Sequence, residues 1–136
     1  MVKKKLSCIL LVDDDYEDNV FHKLIISRMQ IAESVEEVNN GLEALNNLKK
    51  RQIPPELIFL DINMPRMNGW EFLEEYKELD PEQKAKTIIM MLSTSSNPDE
   101  IKKAQKIAEV SGFKTKPLSK EMLVEILENF FREHLS

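Results

Sequence analysis

The sequence contains a single cysteine and no long hydrophobic segment, and both absences restrict what the protein can be. Cys8 is the only cysteine among 136 residues, so no disulfide forms within the chain, as is typical of a reducing compartment. No apolar run approaches the roughly 20 residues of a membrane-spanning helix, and the apolar segment after the basic start ends too soon for a signal peptide. We therefore expect a cytoplasmic protein that does not associate with membranes.

An excess of basic charge is also missing. The 19 lysines and arginines are outnumbered by 24 acidic residues, which gives a net charge of -5. Nucleic-acid-binding proteins usually carry a basic surface, so that class is not expected. With 42% hydrophobic and 32% charged residues, the chain is expected to form one domain over residues 1–136, with a core over about 6–134 and no output domain.

Short apolar segments alternate with helical patterns along the whole chain. Apolar runs closed by turn residues are typical of strands in a parallel sheet. The predicted strands are Leu6–Val12, Ser34–Val38, Leu57–Leu60, Thr87–Leu92 and Gly112–Lys116. Because a helical pattern follows each strand after a short connection, we predict an α/β fold whose parallel sheet is covered by helices on both faces.

The predicted helices carry distinct end and face signals. Asp15 and Ser119 are expected to cap the first and last helices. His22 and His134 are expected at helix surfaces. The apolar residues of the first helix are expected to form its buried face; they are Val20, Phe21, Leu24, Ile25 and Met29.

Chemically active residues stand at the ends of four of the five predicted strands. Asp13, Asp14 and Asp15 follow the first, Asp61 the third, and Ser93 and Thr94 the fourth, while Lys116 is the last residue of the fifth. Any one of them could be an ordinary surface or turn residue. Since parallel strands end at one edge of the sheet, however, we expect these groups to meet there and to form a site.

This set of groups suits the acceptance of a phosphoryl group. Converging carboxylates repel one another unless a cation lies between them, and hard oxygen ligands suit Mg²⁺. A carboxylate can act as the nucleophile, while the metal and the Lys116 ammonium neutralise charge on the transferred group. No histidine or thiol is needed.

Four segments together resemble the receiver domain of two-component response regulators. They are VDDD at Val12–Asp15, DINMPRMNG at Asp61–Gly69, the hydroxyl-rich MLSTSS, and FKTKP at Phe113–Pro117. The resemblance covers essentially the whole chain. It implies a flavodoxin-like, doubly wound (βα)5 fold with a five-stranded sheet of order 2-1-3-4-5, of the stand-alone type used in chemotaxis.

The resemblance also implies roles for individual residues. Asp61 matches the phosphoacceptor and contributes to the metal site. Asp14 matches a direct Mg²⁺ ligand, Asp13 a residue that acts mainly through water, and Asn63 the residue whose backbone carbonyl completes the coordination.

Further matches concern the switch from the resting to the phosphorylated state. Ser93, or alternatively Thr94, matches the hydroxyl that turns towards the phosphoryl group. Lys116 matches the ion-pairing lysine, and Phe113 the switch aromatic, which must signal by packing alone because it lacks a hydroxyl. Structural roles fall to Gly69 and to Pro117, which matches a proline usually found in a cis bond.

The partners implied are those of a signalling protein rather than an enzyme with an external substrate. The phosphodonor is expected to be a histidine kinase or a histidine phosphotransfer protein. A downstream protein is expected on the face formed by the fourth helix, the last strand and the fifth helix. That face carries a basic strip of Lys102, Lys103, Lys106 and Lys114. The chain is expected to be a monomer or a phosphorylation-dependent dimer.

Other classes of protein fit the sequence less well. A phosphatase of the haloacid dehalogenase type would use Asp13 and Asp15, but Glu17 stands where that motif needs Thr or Val. A calcium-binding loop starting at Asp13 fails, because Asp18 replaces its glycine and Leu24 its bidentate glutamate. In a flavodoxin, acidic residues after the first strand would repel the cofactor phosphate. A receiver-like binding module that is never phosphorylated is the remaining alternative.

Overall fold

The computed structural model describes residues 2–136 and confirms the alternation of strands and helices. The strands are β1 (Leu6–Val12), β2 (Ala32–Val38), β3 (Leu57–Leu60), β4 (Ile88–Ser93) and β5 (Gly112–Thr115). The helices are α1 (Tyr16–Met29), α2 (Gly41–Lys50), α3 (Gly69–Tyr76), α4 (Pro81–Lys84), α5 (Pro98–Gln105) and α6 (Lys120–Phe130), with a 3-10 turn at Arg132–His134.

The five strands form one parallel sheet of order β2-β1-β3-β4-β5, as predicted. Both faces of the sheet are covered by apolar clusters, one including side chains of α2, α3 and α5 and the other side chains of α1 and α6. All four residues of β3 are buried, which explains its uninterrupted apolar sequence. Val12 of β1 pairs with Leu60 of β3, so the residues that follow them emerge side by side.

The helix pattern differs from the prediction in the connection before β4. Residues after Asp80 form the additional short helix α4, in which the Asp80 backbone N–H donates to Gln83 Oε1 at 3.0 Å. Six helices therefore replace the five predicted, and the predicted fourth and fifth helices are α5 and α6. Helix α5 ends at Gln105, because the chain turns there towards β5.

The predicted buried face of α1 is wrong. Val20, Phe21 and Leu24 are 44–47% exposed, whereas the buried residues of the helix are Asn19, His22 and Ile26. The start of α1 packs against the polar edge of the sheet, where buried backbone groups need hydrogen-bond partners. Polar side chains supply these partners, and the helix therefore turns its most apolar side outward.

The two histidines are buried, contrary to the prediction of surface positions. The Leu118 backbone N–H donates to His22 Nε2 at 3.4 Å, and burial lowers the pKa of His22 so that the neutral acceptor is favoured. His134 Nδ1 lies 2.8 Å from the Lys4 carbonyl oxygen. His22 thus satisfies a backbone group that the packing has removed from water, and His134 fixes the backbone at Lys4.

The two ends of the described chain come together at the edge where β1 begins. Val2 and Leu135 form an antiparallel bridge, and the backbone N–H groups of Lys3 and Lys4 donate to the His134 carbonyl at 2.9 and 3.2 Å. β1 leads from this edge to Asp13 at the opposite edge. Among residues 2–136, no helix is long and apolar enough to cross a bilayer.

Candidate functional site

Three carboxylates converge where β1 and β3 end. One oxygen from each of Asp13, Asp14 and Asp61 lies within 4.8 Å of the others. Asp13 is buried and Asp14 is exposed at the rim. Asp61 Oδ1 accepts a hydrogen bond from the Ile62 backbone N–H at 2.8 Å, which fixes the orientation of its carboxylate.

Lys116 reaches this cluster from the end of β5. Its Nζ lies 2.6 Å from Asp13 Oδ2, 2.8 Å from Asp18 Oδ2 and 3.6 Å from Asp61 Oδ2. Its own side chain is almost fully buried. The sequence predicted the approach to Asp61, but the shorter contact with Asp18 was missed.

The electrostatics of the site keep Lys116 charged and raise the pKa of Asp61. Burial raises the pKa of Asp61 to about 6, repulsion from Asp13 adds to this, and Lys116 opposes it. Burial alone would lower the pKa of Lys116, but hydrogen bonds to Asp13 and Asp18 and the attraction of Asp61 raise it instead. A carboxylate with a raised pKa beside a fixed ammonium is typical of functional sites.

The carboxylate cluster fits a hard divalent cation. Its three closely spaced donors are all carboxylate oxygens, and two of them come from the ends of neighbouring strands. Mg²⁺ binds through one or two carboxylates together with water and substrate oxygens. The exposed position of Asp14 leaves such positions open to solvent.

The loop after Asp61 is held close to the strand end by Gly69. The Gly69 backbone N–H donates to the Ile62 carbonyl at 2.8 Å. Asn68 caps α3 through a reciprocal capping box with Glu71, which fixes where the loop ends. Asn63 is exposed in this loop, two residues after Asp61.

The two hydroxyls at the end of β4 have different environments. Ser93 is buried, and its Oγ accepts a hydrogen bond from the Ser95 backbone N–H at 3.1 Å. Thr94 is exposed. Phe113 of β5 is partly buried and packs against the cluster that includes α3 and α5 side chains.

Two further sequence predictions hold at the ends of β1 and β5. The Lys116–Pro117 peptide bond is cis, as the resemblance implied. Asp15 caps α1, since its Oδ1 accepts from the Asp18 backbone N–H at 3.0 Å. Asp15 is therefore occupied by the helix and lies outside the carboxylate cluster.

Sequence reasoning missed three polar residues of α1 that complete the site. Asp18 binds Lys116, Asn19 Nδ2 donates to the Asp13 carbonyl at 2.9 Å, and His22 is buried behind them. Asp18, His22 and Ile26 are spaced by four residues, which places them along one side of a helix. That spacing was the available signal, and the more apolar opposite side obscured it.

The comparisons with known proteins agree with this geometry. Residues 9–128 match the response regulator receiver domain family. The chain is 32% identical over 122 residues to the chemotaxis protein CheY of Halobacterium salinarum, covering 89% of this chain and 93% of that protein. It is therefore a member of the response regulator receiver domain family.

Solved structures of receivers have the same fold. A two-component response regulator from Cytophaga hutchinsonii is 31% identical, with a TM-score of 0.86 over 95% of this chain and 99% of the other. The phosphorylated cyanobacterial phytochrome response regulator RcpA is 27% identical, with a TM-score of 0.74 over 96% and 95% of the two chains. Receiver domains are signalling modules that bind Mg²⁺ at an acidic cluster and interact with histidine kinases and downstream proteins.

Proposed function

We propose that Asp61 accepts a phosphoryl group from a phosphohistidine on a sensor kinase or a histidine phosphotransfer protein. The observation that carries this proposal is the position of the Asp61 carboxylate. It lies within 4.8 Å of the Asp13 and Asp14 oxygens and 3.6 Å from the Lys116 ammonium. Asp13 shares the cluster and lies closer to the lysine, at 2.6 Å, but it is buried, whereas Asp61 is partly exposed and can be reached by a donor.

In this reaction an Asp61 oxygen attacks phosphorus, the phosphorus–nitrogen bond breaks, and its electron pair returns to the imidazole of the donor. Lys116 neutralises charge that develops on the phosphoryl oxygens. Asp14 and Asp61 would hold Mg²⁺ directly, with the Asn63 carbonyl, and Asp13 would act mainly through water. When bound, the ion would supply further positive charge to the transferred group. Water later hydrolyses the acyl phosphate, so the domain catalyses only its own phosphorylation and dephosphorylation.

The donor is proposed to approach over the exposed side of α1. Four large side chains form an α1 apolar stripe there, and Tyr16 at its start is 77% exposed and comes two residues after Asp14 of the cluster. A donor protein that covered this stripe would bury apolar surface beside the end of β1, next to the carboxylate cluster. The members of the α1 apolar stripe are Tyr16, Val20, Phe21 and Leu24.

Phosphorylation is proposed to act on the face formed by α5, β5 and α6. Ser93 would turn towards the phosphoryl group, and Phe113 would change its packing. Lys102 and Lys106 are exposed on this face and offer positive charge to a downstream protein. Lys103 lies over the Trp70 ring, 4.5 Å from its centre, and Lys114 pairs with Glu125, so these two are engaged within the domain.

Neither alternative of the sequence analysis is favoured by the geometry. A phosphatase using Asp13 and Asp15 would need both carboxylates in one site, but Asp15 caps α1 outside the cluster. A binding module that is never phosphorylated does not require three converging carboxylates with a buried lysine beside them, and such an arrangement is more typical of a reactive site. The monomer or phosphorylation-dependent dimer and the cytoplasmic location stay predictions.

The proposed function is tested by intact-mass measurement after incubation with acetyl phosphate. We expect the gain of one phosphoryl group that requires Mg²⁺, is labile to base and is absent from Asp61→Ala. The matched control is Asp15→Asn, which removes a carboxylate next to the cluster and should still be phosphorylated. A folded wild-type protein that gains no phosphoryl group contradicts the proposal; steady release of phosphate would then favour the phosphatase.

A further inference from the structure

Asp18 differs from the other carboxylates near Asp61 because it binds Lys116 without belonging to the carboxylate cluster. It lies in the first turn of α1, where its backbone N–H is fixed by the Asp15 side chain. Its Oδ2 is 2.8 Å from Lys116 Nζ, yet it does not belong to the cluster formed by Asp13, Asp14 and Asp61. Asp18 is thus a carboxylate directed at the lysine and not at the metal site.

The contacts of Lys116 compete with one another. An ammonium group has three N–H donors, and Lys116 directs two of them to Asp13 at 2.6 Å and to Asp18 at 2.8 Å. The distance to Asp61 is longer, at 3.6 Å. Asp13 has a second use in the metal site, whereas no other cation among the described residues contacts Asp18. In the resting protein, Asp18 therefore holds the ammonium towards α1.

We propose that Asp18 is a positioning residue that restrains Lys116 and thereby sets the rate at which Asp61 accepts a phosphoryl group. The inference rests on the proposed function. To neutralise charge on a phosphoryl group at Asp61, the ammonium has to turn from α1 towards Asp61, which lengthens its contact with Asp18. The ion pair thus stabilises the resting state more than the transition state, and it slows the transfer.

The test compares Asp18→Asn with the wild type in the rate of phosphorylation by acetyl phosphate at saturating Mg²⁺. We expect the variant to react about two- to fivefold faster, the range that follows from losing a partly exposed ion pair. Glu17→Gln is the matched control. It removes the same charge at the neighbouring residue, and the exposed Glu17 side chain forms no ion pair with Lys116. We expect its rate to equal that of the wild type.

A double-mutant cycle separates restraint of the lysine from a structural role. In a Lys116→Gln background, which reacts slowly, Asp18→Asn should no longer increase the rate. Asp18→Ala serves as a second variant if Asp18→Asn fails to fold, as judged by circular dichroism.

Two results would overturn this inference but not the proposed function. In the first, the wild type is phosphorylated and Asp18→Asn is phosphorylated no faster. In the second, Asp18→Asn still increases the rate in the Lys116→Gln background. Wild-type protein that is never phosphorylated would overturn the proposed function together with this inference.

Discussion

Gly69 packs directly against the backbone of Asp61, and a Cβ at residue 69 would lie 2.4 Å from the Asp61 carbonyl oxygen. The clash would be with backbone, so the strand end or the loop would have to move. We expect Gly69→Ala to lower the free energy of unfolding by about 1–3 kcal/mol and to slow phosphorylation by displacing Asp61. Urea unfolding and the acetyl phosphate assay measure the two effects.

Gly112→Ala is the control for that prediction. Its Cβ would meet Met90 Cε at 2.8 Å, which is the mobile end of a flexible side chain that can move aside. We expect a smaller loss of stability and a normal rate of phosphorylation. Equal effects of the two substitutions would contradict the importance of the contact between Gly69 and Asp61.

Removal of one carboxylate from the cluster should weaken metal binding. We expect Asp14→Asn to lower the affinity for Mg²⁺ at least about tenfold, because the loss of a charged ligand removes a strong attraction to a divalent ion. Isothermal titration calorimetry measures the affinity. Asp15→Asn carries the same change of charge outside the cluster and should bind Mg²⁺ nearly as well as the wild type.

The raised pKa of Asp61 predicts a dependence of stability on pH in the absence of metal. The folded protein holds a proton on Asp61 up to pH about 6, whereas the unfolded chain releases it near 3.8. Folding therefore takes up a proton between these values, and stability falls as pH rises through this window. Asp61→Asn lacks this loss. We expect its advantage over the wild type in EDTA to grow by about 1 kcal/mol between about pH 5 and about pH 7.5.

Urea titrations of both proteins over this pH range provide the measurement. Saturating Mg²⁺ should reduce the difference, because an ion at the cluster stabilises the charged form of Asp61. An advantage of Asp61→Asn that is constant with pH would contradict the raised pKa.

The two sides of α1 should respond differently to truncation. Ile26 is buried, and Ile26→Ala is expected to lower the free energy of unfolding by about 2–4 kcal/mol. Leu24 is 46% exposed, so Leu24→Ala should reduce it by about 1 kcal/mol or less. Thermal or urea unfolding measures both losses. A larger loss for Leu24→Ala than for Ile26→Ala would contradict the structure and support the buried face predicted from the sequence.

The basic residues of α5 provide a test of the proposed readout face. Lys102→Glu together with Lys106→Glu should leave phosphorylation by acetyl phosphate unchanged, while binding of a phosphorylation-dependent partner is lost. Lys49→Glu with Lys50→Glu reverses two exposed charges on α2 and should not affect that binding. Affinity unchanged by the α5 substitutions would remove this face from the proposal.

The sequence predicted the sheet and the convergence of site residues because their signals are strong and local. The apolar run Leu57–Leu60 ends at Asp61, and parallel pairing with β1 brings Asp13 beside it. Charged or hydroxyl residues stand at the ends of four strands. Because parallel strands end at the same edge of the sheet, these residues have to meet there.

The errors arose where a polar contact decided the orientation of a helix. Hydrophobicity predicted that Leu24 would be buried. The buried Asp13 carbonyl, however, accepts a hydrogen bond from the Asn19 side-chain amide. This contact orients the polar side of α1 towards the sheet and leaves Leu24 exposed. The contact between Asp18 and Lys116 joins residues 98 positions apart, so no local pattern could have revealed it. The short helix α4 depends on a single turn of capping contacts at Asp80, which is a weaker signal than a long amphipathic segment.

The bridge between Val2 and Leu135 makes the described chain almost a closed ring. A short peptide linker could join these neighbours, and new termini could be opened in an exposed loop to give a circular permutant with the same sheet. Because this junction lies at the edge where β1 begins, fluorophores or fused proteins placed there would stand one strand length away from Asp61. Optical reporters of the receiver could therefore be built at this junction, at the opposite end of β1 from the carboxylate cluster.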